Sequence, residues 1–275
     1  MRMFFIILSI LGVASAFGGL NALSAQKKKK TESRIVFLQQ KILEKIPNIK
    51  HTRPALGTTE ERPRRALEHA TAIVQAADKY ALKWQQFTKE AEWTAFNPKN
   101  DLPALIAAIT YRESAFQSIV RLDDNTRVRT IPAKLASGTG SSTTRIDAGV
   151  MQVRVPSAPG RKCGVDSTQD IKRLISELSF AYDVGTCVLT NRLSHYVPKY
   201  SNSKERRMHW GLRPPMDLQY FGVFGPRKDT AITEVLKELV VIERYNWGNA
   251  DLYLNTRSAG YARRVLTLFE YFRKT

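Results

Sequence analysis

Glu113 is the residue whose type and position are hardest to explain as plain architecture. It falls four residues after Ile109 and seven after Ile106, on the helix face that also carries Leu102 and Leu105, so the spacing aims a carboxylate at an apolar core. Burial disfavours the ionised form and the dipole at a helix C-terminus pushes the same way, so the protonated carboxyl is the form expected to be favoured. A carboxyl kept protonated near neutral pH is what general-acid chemistry needs. The structural alternative is a glutamate at a helix end that pairs with its neighbour Arg112 or with another surface cation.

The element that must hold Glu113 is a helix from Leu102 to about Ser114, with Asp101 as its expected N-cap and Pro103 in its first turn. Periodicity is then lost from Asp123 to Asp147, a polar stretch with a Gly/Ser/Thr-rich tract at 137–142, which reads as a loop with room for a short hairpin. Helical patterns return over 170–196, 230–245 and 260–273, separated by an aromatic and proline-rich stretch at 198–228 without a clear period. Upstream, Ile35, Leu38, Ile42 and Ile46 recur at helical spacing before Pro47. Residues 54–63 have linker composition. A long helical pattern over 64–96 aligns Leu67, Ala70, Ile73, Val74, Ala77, Ala81, Trp84 and Phe87 on one stripe. Trp84 and Trp93 are read as packing anchors. The expectation is a mainly α protein: a helical domain from about residue 98, preceded by a basic helical arm.

Glu113 also keeps specific company. Glu113-Ser114-Ala115-Phe116 is followed by Gly149-Val150-Met151-Gln152, then by Tyr245-Asn246-Trp247-Gly248, and finally by Tyr261-Ala262-Arg263-Arg264-Val265-Leu266. In that order these resemble the E-S-x-F, G-L-M-Q, Y-N-x-G and Y-V-x-x-V-L signatures of the soluble lytic transglycosylase domain, which is related to goose-type lysozyme. The resemblance covers roughly residues 100–272 and implies a lysozyme-like helical fold with loop insertions. Two departures stand out. The span from Glu113 to Gly149 is long, and the N-I-x-x-G-x-x-Y-L signature is only shadowed by residues 181–189, where Asn has become Ala181.

Glycoside cleavage usually uses two carboxyl groups. The resemblance supplies one, and implies that Glu113 acts alone as acid and then base on the bond between N-acetylmuramic acid and N-acetylglucosamine. It further implies that Ser114, Met151 and Gln152 contact the sugars and that Tyr245 and Asn246 orient Glu113 or shape the turn beside it. Ser114 reads equally well as a polar residue at a helix end, and Met151 as core packing. A hydrolytic lysozyme, with Asp147 or Asp123 and Asp124 positioning a water, is the competing enzyme reading. A wall-binding module without catalysis and a membrane-permeabilising basic protein are the alternatives from other classes.

The address and the charge narrow the partners. Arg2, the apolar run 4–13 and Ala14-Ser15-Ala16 have the layout of a secretory leader, with cleavage expected after Ala16 or Ser24. An uncleaved leader that anchors the chain is the alternative. Residues 25–97 are then the basic helical region and 98–275 the catalytic domain. The 275-residue chain carries 43 Lys and Arg against 25 Asp and Glu, a net +18, and the lysine run 27–30 makes the N-terminal part the more densely basic. An exported protein of this charge meets anionic envelope polymers or membrane surfaces rather than chromosomal nucleic acid, so its expected home is periplasmic or extracellular. In that compartment Cys163 and Cys187, the only cysteines, are most economically a disulfide, worth roughly 3 kcal/mol. His51, His69, His195 and His209 show no ligand spacing, so neither a metal nor a cofactor is expected.

Overall fold

Helix α3 (Pro98–Ser114) is the element the rest is arranged around: every residue from Asp101 to Thr110 is buried. Its apolar surface therefore runs round the whole helix rather than along one stripe, as expected of a helix in the middle of a core. The computed structural model describes residues 2–46, 56–90, 96–122, 127–128, 146–155, 157–194 and 256–274. Before α3 come α1 (Arg2–Lys45) and α2 (Arg62–Glu90). After it come strands β1 (Val120–Leu122), β2 (Arg127–Val128), β3 (Ile146–Ala148) and β4 (Val153–Val155). Helices α4 (Ala158–Lys162), α5 (Thr168–Ser176), α6 (Leu178–Ser194) and α7 (Thr256–Arg273) complete the order. The fold is mainly α.

The start of α3 differs from the sequence expectation. Asn97, not Asp101, is the N-cap, its side chain accepting from the Lys99 N–H, with Pro98 at the first helical position. Asp101 instead reaches back to accept from the Asn97 N–H at 2.6 Å and pairs with Arg273 of α7 at 3.0 Å. Burial pushes the Asp101 carboxyl up, opposed by that N–H and by Arg273. Pro103 consequently lies inside the helix rather than in its first turn. The carbonyl it leaves over belongs to Lys99, which is exposed.

Helices α2 and α7 pack on α3, α1 and α6 pack on α2, and one continuous cluster of buried residues joins them. This corrects the picture of residues 25–97 as an arm. Leu38, Ile42 and Ile46 of α1 and Ala70, Ile73, Val74, Ala77 and Trp84 of α2 all belong to the same core as α3. Arg34 pairs with Asp78 at 2.8 Å, and Trp84 donates to Thr190 of α6 at 2.9 Å. Leu67, expected on the buried stripe, is exposed. Residues 24–30, the lysine run among them, are exposed beyond the part of α1 that packs. Among the described residues no helix is long and apolar enough to cross a membrane.

The expected single helix over 170–196 is two, broken at Glu177, whose extended backbone caps α5. Ser167 and Asp170 form a capping box at the start of α5. The strands, which helical periodicity could not announce, form one antiparallel sheet in the order β2-β1-β3-β4. Its apolar face buries Val120, Ile146, Ala148, Val153 and Val155. The expected disulfide between Cys163 and Cys187 is present, tying the end of α4 to α6.

Candidate active site

Glu113 sits in the last turn of α3 with 6% of its surface exposed, as its place on the apolar face implied. The helix stops directly after it. Ala115 takes a left-handed backbone (φ 52°) and donates its N–H to the Tyr111 carbonyl. Phe116 follows with φ 62°, which turns its ring into the core against His69, Tyr111 and Phe272. The chain then leads through Gln117–Ile119 into β1, which returns a cation to the helix end. Arg121 Nη2 donates to the Glu113 backbone carbonyl at 3.0 Å and lies 3.4 Å from Glu113 Oε2. Arg121 is thus an ion-pair partner of Glu113, a cation other than the adjacent Arg112. Burial disfavours the Glu113 carboxylate while the Arg121 charge favours it, so the two influences oppose each other.

The turn that joins β3 to β4 is built against this helix end. Ser114, 3% exposed, has its hydroxyl 2.7 Å from the Val150 carbonyl and 3.2 Å from the Thr110 carbonyl. Gly149 has φ 77°, and a Cβ there would collide with the Leu174 carbonyl of α5. Its N–H donates to the Ile119 carbonyl at 3.0 Å. Gln152, left-handed at φ 52° and 7% exposed, donates through Nε2 to the Ile119 carbonyl at 3.0 Å and the Gly149 carbonyl at 2.7 Å. Its Oε1 is buried without a hydrogen-bond partner among the described residues. Met151 is fully buried and packs onto Gly185 of α6. Each residue of the Gly149–Gln152 turn thus has a separate local task, and Ser114 fastens the turn to the helix that ends in Glu113.

The structure therefore brings Glu113, Ser114, Met151 and Gln152 together. It places the Met151 side chain in the core and folds the Gln152 amide back onto its own loop. Tyr245 and Asn246, expected beside Glu113, lie outside the described residues, as do Asp123, Asp124, Trp93, His51, His195 and His209. Asp147 stands on β3, its carboxylate 2.9 Å from Arg154 Nε across the ladder. His69 is buried 2.7 Å from the Tyr182 hydroxyl, and burial, aided by the Arg65 charge, lowers its pKa to about 3. No group of three or more His, Cys, Asp or Glu suited to a metal occurs among the described residues. A separate cleft of about 490 Å3 runs beside the segment after Phe116, between Arg64 and Arg65 of α2 and Ile175 and Leu178 at the α5–α6 break.

Sequence reasoning missed Arg121. The signal was present as a lone cation between Val120 and Leu122, the apolar-polar alternation of a half-buried strand. No family model, no curated protein and no solved structure matches this chain.

Proposed function

We propose that this protein is an exported peptidoglycan lytic transglycosylase with a lysozyme-like catalytic domain and Glu113 as its single acid and base. The observation that carries the reading is the junction of two sequence motifs. Glu113 is buried at a helix end that Ser114 joins directly to the Gly149–Gln152 turn. In the proposed reaction Glu113 donates its proton to the glycosidic oxygen between N-acetylmuramic acid and N-acetylglucosamine as that bond breaks. The acetamido group of the muramoyl residue stabilises the developing cation. Glu113, now a carboxylate, takes the proton of the muramoyl C6 hydroxyl while that oxygen closes a 1,6-anhydro ring. The proton lost in the first step is regained in the second, and no water is consumed.

Burial of Glu113 supports the acid step, because removal from water favours the uncharged carboxyl. Arg121 supports the same step from the other side, because its charge stabilises the carboxylate that proton donation leaves behind. The disulfide supports an oxidising compartment, periplasmic or extracellular, reached through the leader at 1–24. The exposed lysines 27–30 supply a positive patch for anionic envelope polymers or membrane surfaces.

A hydrolytic, goose-type-like lysozyme is the second reading, favoured by Asp147, which the register sets opposite Arg121 on the neighbouring strand. Mass spectrometry of fragments released from purified peptidoglycan separates the two: 1,6-anhydro ends for the transglycosylase, reducing ends for the hydrolase. Glu113→Gln should abolish release while the thermal unfolding of the chain is kept. Release by that variant at the parent rate would overturn Glu113 as the acid in both readings, whereas binding of the strands with no release even by the parent would leave a wall-binding role.

A further inference from the structure

The cleft of about 490 Å3 beside α2 is lined by neither Glu113 nor Arg121, so the chemistry of Glu113 leaves it unexplained. One side of it comes from the first two turns of α2, which precede the residues that resemble the transglycosylase domain. The segment Phe116–Ile119 and the α5–α6 break, with Ile175 and Leu178, supply the rest. Ser118 fastens these two parts together by donating its hydroxyl to the Ile175 carbonyl. The volume lies in the range of pockets that enclose small ligands.

The charges of the cleft are spent on one another. Arg64 pairs with Glu68 and Arg65 with Glu61, each four residues apart, so no unpaired charge on the lining calls for an ionic ligand. Two polar side chains are not spent. His69 lines the cleft with 4% of its surface exposed, and its Nδ1 is taken by the Tyr182 hydroxyl at 2.7 Å. Its Nε2 has no hydrogen-bond partner among the described residues, and in either tautomer of a neutral ring that atom offers one uncharged hydrogen-bonding position. Burial, aided by the Arg65 charge, lowers the pKa to about 3 and keeps the imidazole neutral. The second is Gln117, a half-buried lining residue whose side-chain amide has no partner among the described residues. That amide carries both donors and an acceptor. Ile175 and Leu178, each half-buried, add apolar surface to the same cleft.

We propose that this cleft binds an N-acetylated sugar of the glycan strand through Gln117 and His69. An acetamido group has one N–H and one carbonyl, the complement of neutral side chains that both donate and accept. Its methyl group and the C–H face of the sugar ring suit Ile175 and Leu178. A peptide end would instead bring a carboxylate or an ammonium group, for which the paired charges leave no partner. The inference rests on the reading of this chain as a protein that acts on peptidoglycan. It adds a second hold on the strand, away from the bond that Glu113 breaks.

The test titrates the 15N-labelled full chain with tri-N-acetylglucosamine and with cellotriose, which has the same linkage but no acetamido groups. The acetylated trimer should shift the backbone amides of Gln117, Ser118, Ile119 and Leu178. Cellotriose should bind there about tenfold more weakly, the size of one or two neutral hydrogen bonds. Gln117→Leu removes an amide that bonds nothing in the fold. It should raise the Kd of the trimer, read at the other three amides, about tenfold while thermal unfolding is kept. No shift at these amides, equal affinity for the two sugars, or an unchanged Kd in Gln117→Leu would overturn the site. Shifts there with an alanine-rich peptide but not with the trimer would overturn the sugar as its occupant. Fragment release from peptidoglycan is measured on the same protein. Binding in the cleft without release supports the site and counts against the enzyme reading, and release without binding in the cleft overturns the site alone.

Discussion

Replacing Gly185 by alanine tests whether the turn that carries Gln152 is fixed by the space α6 leaves for Met151. A Cβ at position 185 would stand 2.8 Å from Met151 Cβ and 3.0 Å from its Cγ, and closer still to Sδ. Carbon atoms in contact prefer about 3.5–4.0 Å. The clash therefore reaches the root of the methionine, and a new rotamer at its tip cannot remove it. Two effects oppose each other. Alanine in place of glycine inside a helix gains about 0.5–1 kcal/mol, while overpacking a dense core costs about 1–3 kcal/mol. The net expectation is a loss of up to about 2.5 kcal/mol, with Tm falling by roughly 2–4 °C for each kcal/mol in a chain of this size. Met151→Ala alone empties a fully buried site and should cost about 2–5 kcal/mol. In the double variant the new methyl occupies part of the emptied volume, so it should be more stable than the two single losses imply by about 1 kcal/mol or more. Urea unfolding of the four proteins with the disulfide intact measures the cycle. Losses that add to within about 0.5 kcal/mol would show that the contact between Gly185 and Met151 does not set the turn.

Two further outcomes follow from the same packing. Replacing Cys163 and Cys187 together by serine should lower stability by about 3 kcal/mol, or roughly 6–12 °C in Tm, because the 24-residue separation is released in the unfolded chain. A Tm change under about 2 °C would mean that α4 is held to α6 by packing alone. His69 binds its proton far more weakly in the folded protein, at a pKa of about 3 against the 6.5 reference, so the unfolded chain takes up a proton first. Its contribution is present above pH 6.5 and is lost as pH falls from 6.5 towards about 3, by up to ~1.4 kcal/mol per pH unit. His69→Phe should flatten the acid limb of a plot of Tm against pH, and an unchanged slope in that variant would refute the assignment.

What the sequence disclosed depended on how far each determinant lay from the residue it governs. The helix that ends at Ser114, the burial of Glu113 and the pairing of the two cysteines rest on periodicity and composition, which are local, and they appear in the fold as read, although the apolar surface of α3 runs round the helix rather than along one stripe. The N-cap moved from Asp101 to Asn97 because Asp101 is taken by Arg273, a partner 172 positions away in the chain. Helix α2 read as part of an arm because its amphipathic stripe shows that it must pack but not on what. Its partners are α1, α3 and α6, the last reached only across a long chain separation. The break at Glu177 escaped notice because the residues on both sides favour helix. Strands of two or three residues carry at most one alternation, too weak a signal to point to Arg121 as a partner of Glu113.

The left-handed backbones at Ala115, Phe116 and Gln152 bear on why Glu113 is held as it is. Each such conformation in a residue with a side chain costs of order 1–3 kcal/mol, a sum comparable to much of the net stability of a domain. Glycine would reduce that cost at all three positions, yet two of the side chains are used. The Phe116 ring closes the core between His69 and Phe272, and the Gln152 amide ties Ile119 to Gly149. The consequence falls between them. By leaving the helical path at Ala115, the chain ends α3 beside Glu113 and turns through Phe116 into β1. The Glu113 carbonyl is then met by the guanidinium of that strand instead of by a further turn of helix. The strain thus serves the meeting of a helix end, a sheet cation and a buried carboxyl, and the surrounding core is what holds that meeting in place.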